Sequence, residues 1–473
     1  MEMDKLYEEE VEVAVSPPGQ YFNSSVICSY VFGFLEVAVP IDDSHALSLI
    51  QHVFLPINPR FSSIMVRDED GKMRWKRVEV KPEEHVKIPI FPESTSSDQL
   101  YDHYLGEYVS SILTERTPQT KPLWEIHIIK YPTRNAIGTI IFKLHHALGD
   151  GYSLMGALLS CLQRADDPSF PLSFPSSKVP SNSQHANKNL FNKLPSFIST
   201  FFSSMSDFGW SLMKSKMIKD DKTPIRSGYE GTESQPFTLS NISLSLDQIK
   251  NIKSKLGVTI NDLVTGIVFY GLRLYMQEMN DKAKISNSTA IVMLNTRNIG
   301  GYQSVEEMLK PKVKGIWGNK ISFLQVSIPK LNQARMSNPL EFVWKAHEII
   351  KRKKRSFSVY LIGLLLQLEM KLRGSEAVAK NIYKTMGNSS VVLSNLVGPI
   401  EHMALAKHPI SGLYFTMTGG PENVNITIIS YVKVLRITLR TLKGFIDEHK
   451  LKFCMEKAFE DIFKASMEIP DKN

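Results

Sequence analysis

Residues 143–156 read Lys-Leu-His-His-Ala-Leu-Gly-Asp-Gly-Tyr-Ser-Leu-Met-Gly, two adjacent histidines followed by an aspartate set between glycines. A histidine titrates near pH 6.5 in its unperturbed state, so a fixed imidazole with a bare ring nitrogen can take a proton from a hydroxyl at neutral pH. His146 has Asp150 four residues on and Gly151 directly after it, a step where a tight turn calls for a residue without a Cβ. A lone His-x-x-x-Asp is common by chance, and histidines in a polar turn can be satisfied and inert. The doubled histidine, His145 and His146, together with the Asp-Gly step, makes the pattern more specific. Gly151-Tyr-Ser-Leu-Met-Gly156 superficially resembles the Gly-x-Ser-x-Gly nucleophile elbow but carries one residue too many. Serine hydrolysis therefore loses its spacing, and neither a P-loop nor a dinucleotide fingerprint occurs.

The elements around this stretch must fix it in space. Residues 136–146 are β-branched and apolar and predict a strand, whereas residues 151–165 return to helical spacing. The histidines thus close a strand, where alternation sends one ring toward a cavity and its neighbour to the opposite face. Further strands are expected at 24–39, 60–80 (two, around Asp68-Glu69-Asp70-Gly71) and 123–131, with helices at 45–54 and 98–116. The stretch 166–234 changes character, becoming rich in Ser, Pro and Asn with one apolar island at 190–213. Beyond it the α/β alternation resumes, with a largely apolar helix at 259–279, a helix at 340–354, late strands at 391–399, 412–419, 424–432 and 434–442, and a closing amphipathic helix at 447–467. Three parts follow: an α/β domain over 1–165, a linker over 166–234 and a second α/β domain over 235–473. A site between the two domains is the expectation, because ligand sites favour domain interfaces.

Composition narrows the classes. The 473 residues exceed what one hydrophobic core accommodates, roughly 250–300 residues. A net charge of +8 from 56 basic against 48 acidic residues is too mild to imply a nucleic-acid partner. Three scattered cysteines without a CxxC pair argue against a disulfide framework or a structural metal site. The first fifteen residues are acidic where a secretory signal is basic and then apolar, so a cytosol-facing location is expected. No apolar run reaches the roughly 18–20 residues that span a bilayer; 359–370 and 190–213 come nearest and support peripheral attachment at most. Lys351-Arg-Lys-Lys-Arg355 beside 359–370 reads either as a solvated helix end or as a basic patch for an anionic membrane or for phosphates.

His145-His-Ala-Leu-Gly-Asp-Gly151 resembles the HHxxxDG motif of the wax ester synthase/diacylglycerol acyltransferase family, within the chloramphenicol-acetyltransferase-like, CoA-dependent acyltransferases. The likeness runs along nearly the whole chain. Ser16-Pro-Pro-Gly-Gln-Tyr-Phe22 resembles the family's Ser-Pro start, Pro122-Leu-Trp-Glu125 its Pro-Leu-Trp segment, Asn261-Asp262 its Asn-Asp motif and Ser394-Asn-Leu-Val-Gly-Pro399 its late Ser-Asn-x-x-Gly-Pro element. The linker and the basic helix look most like the plant branch.

The resemblance implies two chloramphenicol-acetyltransferase-like α/β domains with mixed sheets, joined by a long linker around an active-site tunnel at their interface. It implies transfer of a fatty acyl group from acyl-CoA, as co-substrate and with no cofactor or metal, to the hydroxyl of a long-chain alcohol or diacylglycerol. His146 would be the catalytic base, His145 its flanking partner, and Asp150 and Gly151 the structural end of the motif. Asp150 is expected to turn from the substrate and pair with an arginine, for which Arg297 is the candidate. Asn261 and Asp262 are read first as a helix cap and second as substrate contacts. Ser394 and Asn395 are candidates for stabilising the oxyanion or lining the CoA channel. The endoplasmic reticulum membrane, or the plasma membrane, is the expected place of work. Two alternatives stay open: a phenolic- or alkaloid-acylating enzyme, whose Asp-Phe-Gly-Trp element this chain carries only at 207–210, and a non-enzymatic acyl-CoA or lipid binding protein.

Overall fold

The computed structural model describes residues 13–92, 98–170, 172, 208–209, 212–214, 217–295, 297, 317–331, 338–355 and 358–470. Two mixed sheets organise them. The first has seven strands in the order Val86–Lys87, Trp124–Ile129, Gly138–His145, Tyr30–Val37, His408–Met417, Met403–Leu405 and Gln163–Arg164. The second has six, in the order Ile321–Ser327, Thr289–Asn295, Val391–Leu396, Val424–Tyr431, Val434–Leu442 and Phe237–Ser245, with Val391–Leu396 parallel to both of its neighbours. The fold is thus α/β with two sheet-containing halves.

The sequence division at 166–234 differs from this arrangement in two ways. His408–Met417 and Met403–Leu405, from the C-terminal part of the chain, belong to the first sheet, where His408–Met417 runs antiparallel to Tyr30–Val37. The end of the presumed linker is also built into the second half. Asp220 is buried, pairs with Lys214 and accepts from the Thr289 amide at 2.6 Å and the Ser390 hydroxyl at 2.6 Å. Arg226 Nη2 donates to the Gly387 carbonyl at 2.7 Å, and Ile225 is fully buried beside it. The polar composition that suggests a solvated tether instead satisfies backbone groups at strand and helix ends. Most of the apolar island at 190–213 lies outside the described residues.

The strand Gly138–His145 is buried along its whole length and paired on both sides, by Tyr30–Val37 and Trp124–Ile129. That central place explains why its apolar residues do not alternate strictly with polar ones, since a strand covered on both faces has no reason to alternate. Its end is locked from the Pro122-Leu-Trp segment: the His145 amide donates to the Leu123 carbonyl at 3.0 Å, and buried Trp124 donates its Nε1 to the Phe61 carbonyl at 2.8 Å. In the second half, Ile260–Met279 is buried on nearly every face and packs against Leu340–Arg355 and Glu448–Met467. A helix that apolar has to be central. The segment 359–370 belongs to a helix, Ser358–Gly387, broken at Gly374, whose φ of 80° is left-handed. Among the described residues no helix is long and apolar enough to cross a membrane.

Candidate active site

Backbone contacts place His146 just past the strand end, its amide donating to the Ser29 carbonyl at 2.7 Å. Its ring stacks on Phe22 with centroids 4.4 Å apart. Phe22 ends the short helix Pro17–Phe22, which Ser16 caps by accepting from the Gly19 amide. The Ser-Pro segment thus exists to lay an aromatic face on the histidine.

The imidazole's tautomer follows from Asn319. Asn319 Nδ2 donates to the His146 carbonyl at 2.7 Å, which orients the amide so that its Oδ1 sits 2.9 Å from His146 Nδ1. An oxygen there can only accept, so Nδ1 carries the proton and Nε2 is left with a bare lone pair. Burial pushes the His146 pKa down from its ordinary value, partly offset by Asp150 and Asn319, so the ring is neutral at pH 7. A neutral imidazole with Nε2 bare is the form that a general base needs.

His145 has a different role. Its Nδ1 accepts from the Ala147 amide at 3.0 Å, Nε2 faces Cys28 Sγ at 3.6 Å, and Tyr30 meets the ring edge-on. Burial, with His146 and Arg116 adding to it, lowers its pKa to about 3. It is a neutral structural group on the face opposite His146.

Asp150 is the N-cap of Gly151–Ser160, its Oδ1 accepting from the Ser153 amide at 3.1 Å. Arg297 closes on it with both arms, Nη1 to Oδ2 at 2.6 Å and Nη2 to Oδ1 at 3.0 Å, and the two side chains are almost fully buried. Arg297 also donates to the Ser153 hydroxyl at 3.0 Å and the Gly318 carbonyl at 2.6 Å, while the Lys320 amide donates to Asp150 Oδ2 at 2.8 Å. Three of the four hydrogen bonds that Asp150 accepts therefore come from the C-terminal half. The sequence reading puts Asn319 and Lys320 at the start of a strand over 319–328 and gives the segment 317–320 no role in the site: Trp317 donates to the Leu148 carbonyl at 2.9 Å, and Gly318 and Asn319 complete the clamp. The one available signal was a Trp-Gly-Asn run just ahead of the strand Ile321–Ser327.

Gly151 corrects a sequence expectation. Its φ is not in the left-handed range, and the requirement is space: a Cβ would lie 3.0 Å from Leu396 Cδ1 across the domain interface. Asn261 and Asp262 are part of a capping arrangement. Asp262 accepts from the Thr259 amide at 3.0 Å, Thr259 Oγ1 accepts from the Asp262 amide at 3.2 Å, and His347 Nδ1 lies 2.8 Å from Asp262. Asn261 Oδ1 accepts from Asn395 Nδ2 at 3.1 Å, which turns Asn395 toward the helix Ile260–Met279 and away from a channel. By strand alternation Ser394 shares its face with Val392 and Leu396, and that is the face toward His146 and Gly151.

His146 lines a small pocket at the interface of the two halves, with Phe22 and Ser29 on one side and Val392, Gly420, Glu422 and Asn425 on the other. Phe323 and Met386 are shared walls with a second pocket, lined by Leu212, Ile291, Ile362, Leu365, Leu366 and Ile382 among others. Phe208 lines this second cavity, and the remaining aromatic of Asp207-Phe-Gly-Trp210, Trp210, lies outside the described residues. No cluster of metal-binding side chains occurs among the described residues.

Residues 55–264 match the family model of the wax ester synthase/diacylglycerol acyltransferase catalytic domain, and residues 317–463 that of the WS/DGAT C-terminal domain. The chain is 30% identical to wax ester synthase/diacylglycerol acyltransferase 2 of Arabidopsis thaliana, over 81% of each chain. It is 29% identical to number 11 of the same plant, over 93% of this chain and 92% of the other. Among solved structures it resembles the wax ester synthase/diacylglycerol acyltransferase from Marinobacter aquaeolei VT8, with a TM-score of 0.58 at 16% identity, covering 96% of this chain and all of that one. At that identity the likeness is one of fold.

Proposed function

The chain belongs to the wax ester synthase/diacylglycerol acyltransferase family, and on that premise we propose that it moves a long-chain fatty acyl group from acyl-CoA to the hydroxyl of a long-chain alcohol and of diacylglycerol, with His146 as general base. It is an acyl-CoA-dependent O-acyltransferase. The observation that carries the finer reading is the fixed His146 tautomer, which leaves Nε2 bare on a ring that lines a cavity formed from both halves.

The chemistry follows from that nitrogen. The alcohol oxygen attacks the thioester carbonyl carbon as its proton passes to Nε2. The C–S bond then breaks, and the same proton goes from Nε2 to the departing sulfur, giving ester and free CoA thiol with the imidazole neutral again. No acyl-enzyme is needed, because the thioester is already activated. Assistance of this kind contributes roughly 10²–10⁴-fold. The neighbouring pocket, with walls mainly of aliphatic and aromatic side chains, supports a long alkyl chain as the group held beside the reacting atoms.

The same reading places the protein peripherally on the cytosolic face of the endoplasmic reticulum membrane or the plasma membrane. Tyr360, Leu364, Leu368 and Leu372 are exposed at four-residue spacing, a single stripe along the helix Ser358–Gly387. Lys351 and Arg352 are exposed on the preceding helix, whereas Lys353 turns inward, and a positive helix end beside an apolar stripe suits an anionic membrane surface.

Purified full-length protein given one labelled long-chain acyl-CoA with a fatty alcohol and diacylglycerol together should form both esters, wax ester in excess. His146→Ala should lose about 10²–10⁴-fold in kcat with circular dichroism and melting retained. Transfer within tenfold of the wild type would overturn the base assignment, and absence of both esters from folded wild type would overturn the substrates.

A further inference from the structure

Glu422 stands between the strands His408–Met417 and Val424–Tyr431 and lines the same small cavity as His146. It is 4% exposed. Its Oε1 accepts from Arg440 Nη2 at 2.6 Å and from Asn425 Nδ2 at 3.0 Å. Its Oε2 is buried with no hydrogen-bond partner, and so is Asn425 Oδ1. Oε2 lies against the bare face of Gly420, where a Cβ would collide with it and with the Met386 methyl group. Ser29, across the cavity, spends its hydroxyl proton on the Thr418 carbonyl at 2.8 Å.

This corner thus presents two buried oxygens that can only accept. Such groups are rare in folded proteins because an unmade hydrogen bond is costly, and one at an active site points to a donor brought by the ligand. The reacting alcohol carries a single O–H, whose proton goes to His146 Nε2. The fatty acyl chain has no donor at all. The pantetheine arm of acyl-CoA has two amide N–H groups, the first separated from the sulfur by two carbons, which suits a cavity where the thioester must also meet His146. A carboxylate oxygen is the strongest protein acceptor for such an amide.

We propose that Glu422, with Asn425, binds the amide N–H groups of the pantetheine arm and so positions the thioester carbonyl at His146. The assignment rests on acyl-CoA as donor, as proposed above. Glu422 is a positioning residue, and the Arg440 contact on its other oxygen holds it in place.

The test compares acyl donors with and without amide N–H groups on two proteins. Glu422→Gln keeps the shape and can retain the Arg440 contact, but it replaces the free oxygen by an NH₂ group that repels an amide N–H. KM for acyl-CoA should rise about tenfold with kcat within threefold, as expected for one lost hydrogen bond to a charged group. The acyl thioester of ethanethiol, which has no amide, should react equally with both proteins. On the wild type, an acyl-pantetheine analogue with esters in place of the amides should lose about tenfold in kcat/KM against acyl-pantetheine, and Glu422→Gln should add no further loss to it. An equal fall for both thioesters in the variant, or wild-type indifference to the amide-to-ester change, would overturn the proposal. A wild type inactive with acyl-CoA would instead refute the proposed reaction.

Discussion

Replacing Asp150 by Asn tests whether the motif aspartate organises the site. The carboxylate accepts four hydrogen bonds, from the Ser153 and Lys320 amides and from both Nη atoms of Arg297. An asparagine can satisfy only one side of that set. With its oxygen in place of Oδ1, its NH₂ faces two donors, Arg297 Nη1 and the Lys320 amide; turned over, it faces the other two. Two bonds to a charged group are lost either way, at about 1.5–3 kcal/mol each. The guanidinium is left buried and half-paired, a defect that costs about 3–5 kcal/mol in other proteins. In a cooperative unit of 150–250 residues this lowers Tm by roughly 6–20 °C. The site should fail below that temperature too, because the same arginine holds the Gly318 carbonyl next to Asn319, the residue that fixes the His146 tautomer. Calorimetry and steady-state transfer on Asp150→Asn, Arg297→Gln and the double variant give the coupling between the two side chains, expected to exceed about 2 kcal/mol. An Asp150→Asn protein within 1 kcal/mol of wild type and within threefold in kcat would refute the reasoning.

Two further outcomes follow from the same geometry. Since burial depresses the His146 pKa and the neutral ring is the active form, the acid limb of kcat/KM should have its midpoint below the ordinary histidine value of about 6.5. Asn319→Asp, by setting a carboxylate on Nδ1–H, favours the imidazolium and should move that acid limb upward by about 1 pH unit or more; an unmoved limb would show that Asn319 does not act on the ring. Gly151→Ala would press its Cβ on Leu396 across the interface and should cost about 1–3 kcal/mol by denaturant unfolding, recovered in part by Leu396→Ala; a neutral Gly151→Ala would mean that the halves part easily there.

Patterns short in sequence were readable before the fold. The strand ending at His145, the helix beginning at Gly151 and the late strands all show in local periodicity, because neighbours along the chain decide them. Arg297 was named as the partner of Asp150, and the structure sets the two 2.6 Å apart. Asn319 could not be found in that way. It lies 173 residues from His146 in a short polar step with no periodicity, and its role exists only once two sheets face each other. The same reason hid the placement of His408–Met417: alternation marks it as a strand, but only long-range pairing with Tyr30–Val37 assigns it to the first sheet. Asp220 and Arg226 fall within the polar stretch that suggests a linker, because burial of a charged group depends on partners far away in sequence.

The strand Val391–Leu396 shows how two motifs distant in sequence become one support. Its even residues face the interface, where Val392 lines the His146 cavity and Leu396 fills the space beside Gly151. Its odd residues face the helix Ile260–Met279, where Asn395 donates to Asn261. The Asn-Asp and Ser-Asn elements therefore meet on the side of the sheet away from the chemistry, and the bond between them fixes the register of the strand against the capped helix end. Register matters here because a slip of one residue would exchange the two faces, turning Leu393 toward His146 and Val392 into the helical layer. The pair acts on catalysis through that register, and Ser394, between Val392 and Leu396, is the member of the motif whose face the cavity shares.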